Sequence, residues 1–153
     1  RGIPSLSAEK IELAKVSASN GDYAVAALIV KDGATLAEGT TMLKSENDPT
    51  AHAEIVAIRN ACKKLDSRFL ENCILYTTHE PCAMCASAAI WAKMKGVVYG
   101  ATIKDARDYA TNTFSWRQID IKCSAILKAG VPKVELVEEF MRQECQKLFN
   151  LSQ

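Results

Sequence analysis

Two stretches that lie far apart in the chain, TAHAE and PCAMC, place unusual side chains where helices are expected to begin. His52 stands at the start of one amphipathic stretch, and Cys82 and Cys85 stand at the start of another. Side chains three residues apart share one face of a helix, so the two sulfurs point the same way. The partial positive charge of a helix start also favours thiolates over thiols. If these side chains act together, the fold must bring two helix starts into contact.

The same three side chains are suited to bind zinc. Two thiolates and one imidazole are good zinc ligands, and three protein ligands leave the fourth tetrahedral position open to water. A zinc site with an open position is typical of an enzyme. Glu54 lies two residues after His52, where it can take a proton from that water and later pass it to a leaving group. Attack of the activated water on an amidine-type carbon, with loss of ammonia, is hydrolytic deamination.

Two other interpretations of these residues stay open at this point. Cys82 and Cys85 alone could form a redox pair, although Pro81 precedes them and a His-x-Glu lies upstream. A structural zinc site would need a fourth ligand, for which His79 is the remaining histidine. A chain of the second kind would be a zinc-stabilised scaffold that binds a partner rather than an enzyme.

Short apolar runs alternate with helical stretches after an initial hairpin. The runs AVAALIV and ATLAEG flank the turn signal KDG, which predicts two antiparallel strands. The later elements alternate strand and helix, which favours a partly parallel sheet covered on both faces. We therefore predict one domain over residues 1–153 with an α/β fold, a three-layer α/β/α sandwich. Strands are predicted at 24–30, 34–39, 73–78, 96–101 and 133–137, and helices at 5–21, 49–65, 81–94, 116–130 and 138–149.

Composition limits the class of protein. Hydrophobic residues make up 48% and charged residues 24% of the 153 residues, enough for a full core. The net charge of +1 gives no long-range attraction to a polyanion, so nucleic acid is a possible but disfavoured partner. Six cysteines in a chain with a good core indicate reduced thiols, and no stretch approaches the roughly 18 apolar residues of a membrane span. We expect a cytoplasmic protein without membrane contact.

The motifs as a set resemble the cytidine deaminase superfamily of zinc-dependent deaminases. His52-Ala53-Glu54 followed by Pro81-Cys82-Ala83-Met84-Cys85 reproduces its His-x-Glu and Pro-Cys-x-x-Cys pattern. The resemblance implies a central five-stranded mixed sheet, Zn²⁺ held by His52, Cys82 and Cys85, Glu54 as the proton shuttle, and commonly a homodimer. NDPTAHAEIVAIRNACKKL and CILYTTHEPCAMC are most similar to guanine and guanosine deaminases. ILYTT followed by EPCAMC is also similar to cytosine deaminases and tRNA adenosine deaminases.

This resemblance also implies a substrate pocket. In these families the backbone N–H at the position of Ala53 helps to hold a substrate oxygen. Val25 and Thr41 match the positions of a Pro-Phe-Gly-type triplet and of a substrate-binding asparagine, and Asn112 matches an acidic position of guanine deaminases. His79 matches a variable position near the substrate mouth.

Trp116 follows the polar stretch TNTFS and is either a core anchor or an aromatic wall for a stacked base. Trp91 is predicted to lie in the core.

We predict a hydrolase acting on C–N bonds of cyclic amidines, with a free purine base or nucleoside as substrate. Adenosine in tRNA and cytosine are the alternative substrates.

Overall fold

A computed structural model describes residues 8–9, 11–16, 23–108 and 119–151. Its sheet has five strands in the order β2-β1-β3-β4-β5. β1 is antiparallel to both of its neighbours, whereas β3, β4 and β5 run parallel to one another. The predicted five-stranded mixed sheet is therefore confirmed. The strands are β1 (Ala26–Lys31), β2 (Ala34–Thr40), β3 (Cys73–His79), β4 (Gly96–Ala101) and β5 (Glu135–Val137).

Helices cover both faces of the sheet, which confirms the predicted three layers. One core cluster joins the sheet to α2, α3 and α5, and a second joins the strand ends to α1, α6 and the C-terminal turn. The helices are α1 (helical at residues 8–9 and 11–16), α2 (Ala53–Leu65), α3 (Ala83–Trp91), α4 (Ile103–Asp108), α5 (Cys123–Ala129), α6 (Arg142–Gln146) and a closing 3-10 helix (Lys147–Leu151).

Strand β1 shows why its sequence is apolar at every position. Ala27 and Ile29 face α2 and α3, while Leu28 and Val30 face the other layer, and all four are buried. Successive side chains of a strand point to opposite faces, so a strand covered on both sides needs a continuous apolar run. The predicted hairpin follows it, with Asp32 and Gly33 at φ 52° and 78°, the left-handed pair of a type I′ turn.

The predicted start of α2 at residue 49 is wrong. The helix begins at Ala53, with His52 as its extended N-cap. Asp48 closes a local turn instead, because its Oδ1 accepts hydrogen bonds from the backbone N–H and the hydroxyl of Thr50, both at 2.8 Å. A side chain that satisfies its own turn competes with the start of a helix.

Two predicted helices in the C-terminal third are shorter than expected. Residues 119–122 are not helical, so within the described part of the stretch predicted at 116–130 the helix begins at Cys123, and it ends before Gly130 as predicted. In the stretch predicted at 138–149, Glu139 and Met141 have φ of 60° and 55°, which delays α6 to Arg142. Residues with positive φ cannot belong to a right-handed helix.

Trp91 is 80% exposed, so its predicted place in the core is wrong. Helix α3 buries Cys85, Ala86 and Ala89. At 100° per residue, Trp91 projects almost opposite to that buried side. The apolar character of the whole helix concealed which face is inside.

Gly39 in β2 allows α2 to approach the sheet. A Cβ atom at this position would collide with the carbonyl oxygen of Ala53 and the backbone nitrogen of Ala57. Ala53, Ala57 and Ala61 form the buried side of α2. Small residues on both sides therefore set how close the first turn of α2 lies to the sheet.

An ion pair ties α6 to α4. The guanidinium of Arg142 donates from Nε and Nη2 to the two carboxylate oxygens of Asp105, at 2.9 and 2.7 Å. Asp105 also accepts from the Thr102 N–H, and its own N–H donates to the Thr102 hydroxyl, a reciprocal helix-start pattern. Burial alone would raise the pKa of Asp105, but these partners hold the pKa of this carboxyl well below its usual range.

None of the helices in the described part of the chain has both the length and the apolar character that a membrane span requires.

Arg142→Met is expected to lower the free energy of unfolding at pH 7 by about 1–2 kcal/mol, because a buried carboxylate loses its partner while the arginine itself is partly exposed. The depressed pKa contributes stability that is present above pH ~4 and lost as pH falls through the folded-state pKa. The difference between variant and wild type should therefore shrink in acid. Urea unfolding from pH 7 to pH 3 measures it.

Arg107→Met is the matched control, since Arg107 pairs with the strongly exposed Asp120. It should change stability little at any pH. A loss at pH 7 from Arg142→Met that is no larger than the control, or one that persists undiminished in acid, would contradict the assignment.

Candidate active site

The first residues of α2 and α3 face each other across the carboxyl ends of the strands. His52 and Cys82 both occupy N-cap positions with extended backbones. Cys85 lies one turn into α3 and is fully buried.

The distances between these side chains fit a tetrahedral zinc ion. His52 Nδ1 lies 3.6 Å from Cys82 Sγ and 3.5 Å from Cys85 Sγ. Zinc bonds of about 2.3 Å to sulfur and about 2.0 Å to nitrogen at tetrahedral angles separate N and S by about 3.5 Å. The ligand atoms of all three residues lie within 4.8 Å of one another, and the described residues contain no second group of this kind. The donor set and its spacing fit Zn²⁺.

The protonation of the two sulfurs reflects their proximity. The hydrogen bond with Cys85 lowers the pKa of Cys82, while the same contact raises the pKa of Cys85. Thiolates rather than thiols are metal ligands, so binding of a divalent cation at these sulfurs would release the remaining thiol proton.

Glu54 points into the same space from the first turn of α2. Its side chain is buried, and its Oε2 accepts a hydrogen bond from the Thr77 hydroxyl at 3.3 Å. Burial, and then the negative charge of Cys82, raise the pKa of Glu54 to about 7. A carboxyl group with such a pKa can both take and release a proton near neutral pH.

A cavity of about 250 Å³ opens in front of these residues. Glu54, His52 and Cys82 line it, and most of the remaining lining is apolar. This combination of an apolar wall and a few convergent polar groups is typical of a small-molecule site. The other lining residues are Tyr23, Val25, Thr41, Leu43, Pro49, Ala53, His79, Glu80, Thr102, Ile103, Ala106, Ile119 and Phe149.

Four of the residues predicted to contact substrate line this cavity. Val25 and Thr41 are buried side by side, the Thr41 N–H donating to the Val25 carbonyl at 3.3 Å. Ala53 begins α2, where backbone N–H groups have no partner within the helix. His79 also lines the cavity. Asn112 and Trp116 lie outside the described residues.

The position of His79 argues against a closed structural zinc site. Its Nδ1 lies 2.6 Å from the Thr78 hydroxyl, and its ring packs edge-to-face against Phe149 at 4.8 Å. It does not belong to the group that could hold a metal ion. No disulfide joins any of the six cysteines, all of which lie in the described part of the chain.

Glu80, which was not among the residues predicted from the sequence, connects the loop after β3 to the starts of two helices. Its two carboxylate oxygens accept from the backbone N–H groups of Ile103 at 2.9 Å and Cys123 at 2.8 Å, the first residues of α4 and α5. A carboxylate at a helix start is favoured by the helix dipole. Its place beside Pro81-Cys82 was the available signal, but its partners are distant in sequence.

Phe149 was missed as well. It comes from the closing 3-10 helix, lines the cavity and packs on His79. In the sequence, Phe149 is recognisable only as an apolar residue at the end of the helix predicted at 138–149. Helix α4 was also unpredicted, although Thr102 and Asp105 have the spacing of a helix-start pair.

Comparison with known proteins agrees with this geometry. Guanine deaminase from Bacillus subtilis (strain 168) is 50% identical over 95 residues, which are 61% of this chain and 61% of that protein. A tRNA-specific adenosine deaminase from Buchnera aphidicola subsp. Baizongia pistaciae is 33% identical over 140 residues, 92% of this chain and 81% of that protein. The first of these relatives is thus matched over less than two thirds of its length.

A solved structure shares the fold. The X-ray structure of guanine deaminase from Bacillus subtilis superposes with a TM-score of 0.68 at 37% identity, over 79% of this chain and 87% of that chain. The family described as cytidine and deoxycytidylate deaminase zinc-binding region matches residues 5–101. The chain therefore belongs to the cytidine and deoxycytidylate deaminase zinc-binding family.

Proposed function

We propose that this protein is a zinc-dependent hydrolytic deaminase that releases ammonia from a free nucleobase or nucleoside, most favourably a guanine-type purine. The observation that carries the proposal is the convergence of His52, Cys82 and Cys85 beside the buried Glu54 at one cavity. His52, Cys82 and Cys85 are the proposed zinc ligands. Zinc, when bound, supplies a Lewis acid that lowers the pKa of water.

Glu54 is the proposed proton shuttle. Its carboxylate takes a proton from the attacking water and delivers it to the departing amine, so the substrate loses ammonia and gains a carbonyl oxygen. The raised pKa of Glu54 suits both halves of this transfer, because the group accepts and releases a proton with similar ease.

The lining of the cavity provides groups that could orient a flat heterocycle. The N–H of Ala53 is the proposed donor to a substrate oxygen, and the Thr41 hydroxyl can donate or accept. Val25 and Phe149 present apolar surface suited to a ring face. His79, Asn112 and Trp116 remain proposed pocket residues.

The identity of 50% to a guanine deaminase supports a purine base as substrate. One observation favours adenosine in tRNA as a second candidate. The tRNA-specific adenosine deaminase match extends over 92% of this chain, much further than the guanine deaminase match. The net charge of +1 counts against it, since binding of RNA draws on many phosphate contacts.

We further propose a homodimer located in the cytoplasm. Trp91 is exposed on α3, a helix without charged residues, and Val131 is exposed just after α5, where Gly130 packs against Ile90 of α3. Exposed apolar surface of this kind is typical of an interface. The absence of disulfides among the six cysteines, all described, fits a reducing compartment.

Replacement of Cys85 by alanine is expected to reduce bound zinc from one ion per chain to nearly none, because two ligands do not form a stable site. It should also lower the unfolding temperature, since metal binding stabilises the folded chain. Elemental analysis of the purified protein and thermal unfolding measure both. Cys62→Ser, at a half-buried cysteine outside the group, should keep its zinc. Retention of stoichiometric zinc by Cys85→Ala would contradict the ligand assignment.

The deaminase proposal is tested by measuring ammonia release from purines, pyrimidines, their nucleosides and tRNA. Wild-type protein with stoichiometric zinc should be most active on a guanine-type base. Glu54→Gln should bind zinc normally but lose about 10²–10⁴-fold in kcat, the usual contribution of a positioned acid–base group.

Ammonia release from none of these substrates would refute the enzyme assignment. Activity on tRNA alone would transfer the assignment to the second candidate. An undiminished kcat in Glu54→Gln would remove Glu54 from the proton path.

Sedimentation equilibrium tests the proposed dimer. The wild-type chain should sediment at twice the monomer mass, and Trp91→Glu should shift the equilibrium towards the monomer without loss of helix content. A charged side chain at an apolar contact pays desolvation without a partner, which weakens association. A monomeric wild-type chain would contradict the dimer.

A further inference from the structure

Thr77, in the central strand of the sheet, contacts Glu54, the proposed proton shuttle. It is fully buried in β3, where it pairs with Ala27 of β1 and Tyr99 of β4. Its backbone is therefore fixed by strands on both sides. Its hydroxyl reaches Glu54 Oε2 at 3.3 Å, although the two residues are far apart in sequence.

We propose that Thr77 is a positioning residue that sets the orientation of the Glu54 carboxylate for proton transfer; the inference rests on the proposed function. The terminal torsion of a glutamate has a broad energy profile, so burial alone does not fix its two oxygens. A donor bound to Oε2 restricts this rotation and leaves the other oxygen for the transfer. The contact comes from outside the three proposed zinc ligands.

The hydroxyl of Thr77 has a second acceptor within reach. Its Oγ1 lies 3.1 Å from the backbone carbonyl oxygen of His79, and the His79 N–H approaches the same Oγ1 at 3.5 Å. While Glu54 is a carboxylate, the charge makes it the stronger acceptor. Once the other oxygen of Glu54 holds the proton taken from water, Oε2 carries no proton, and the hydroxyl can still donate to it. Thr77 thus supports the carboxyl group before and after it receives the proton.

Thr78, the next residue of β3, makes a different set of hydrogen bonds. The Thr78 hydroxyl accepts from the Ala26 N–H at 3.2 Å and lies 2.6 Å from His79 Nδ1. Thr78 is as buried as Thr77, but none of these contacts involves Glu54. The pair therefore offers a comparison between two equal losses of a buried hydroxyl, of which one concerns the shuttle.

The test compares Thr77→Val, Thr77→Ser and Thr78→Val in steady-state deamination, with zinc content and unfolding temperature measured for each. Valine keeps the volume of threonine and removes the hydroxyl. We expect Thr77→Val to lose about tenfold or more in kcat, the size of one hydrogen bond to a charged group, with little change in KM and full zinc content. Thr77→Ser should recover most of kcat, because it retains the donor.

Thr78→Val should lower the unfolding temperature as much as Thr77→Val does, with any kinetic change confined to KM through His79. An unchanged kcat in folded, zinc-loaded Thr77→Val would overturn the inference, and so would a failure of Thr77→Ser to recover activity. If Thr77→Val does not fold, Thr77→Cys replaces it with a weak donor of similar size, and wild-type kcat in that variant would likewise overturn the inference. An inactive wild-type protein would overturn the deaminase proposal and this inference with it, whereas an active one with an unimpaired Thr77→Val overturns the inference alone.

Discussion

The approach of two helix starts is the constraint on which the rest of this structure depends. The N-termini of α2 and α3 each carry partial positive charge, so their meeting is unfavourable unless negative charge lies between them. Cys82 and Cys85 can supply that charge as thiolates, and His52 completes a donor set whose spacing of 3.5 and 3.6 Å fits zinc. Metal binding and folding are coupled here, because the ligands come from two elements that only the folded sheet brings together.

The sheet places every other part of the site relative to this contact. Strands β3 and β4 are parallel. The carboxyl end of β3 leads directly into the loop that carries Cys82, and the carboxyl end of β4 leads into α4. Ligands of open α/β sheets bind at such ends, because the loops there converge. Glu80 fastens the loop after β3 to the starts of α4 and α5, and the Arg142–Asp105 pair holds the C-terminal helix against α4. Phe149 reaches the cavity because of that attachment.

The sequence predicted the structure correctly where the signal was local. Short apolar runs that alternate with helical stretches predicted five strands, and the spacing of Cys82 and Cys85 predicted two sulfurs on one helix face. Two errors are local in origin: Asp48 closes a turn with Thr50 beside the predicted helix start, and the positive φ of Glu139 and Met141 delays α6. Trp91 is exposed because only the packing of α3 shows which side of this mostly apolar helix faces the sheet. The sequence did not indicate the roles of Glu80 and Thr77, because their hydrogen-bond partners lie on other secondary-structure elements.

The sequence alone determined the chemistry: which side chains can bind a metal ion, which carboxylate stands beside them, and that the fold is a layered α/β structure. These properties follow from residue type and from spacing within one helix or strand. Only the tertiary structure decided how the carboxylate is held, which walls enclose the cavity, and which helix face is exposed. The reason is physical: hydrogen bonds such as that from Thr77 to Glu54, and contacts such as His79 with Phe149, join residues that no local periodicity relates. Their geometry exists only after the sheet has formed.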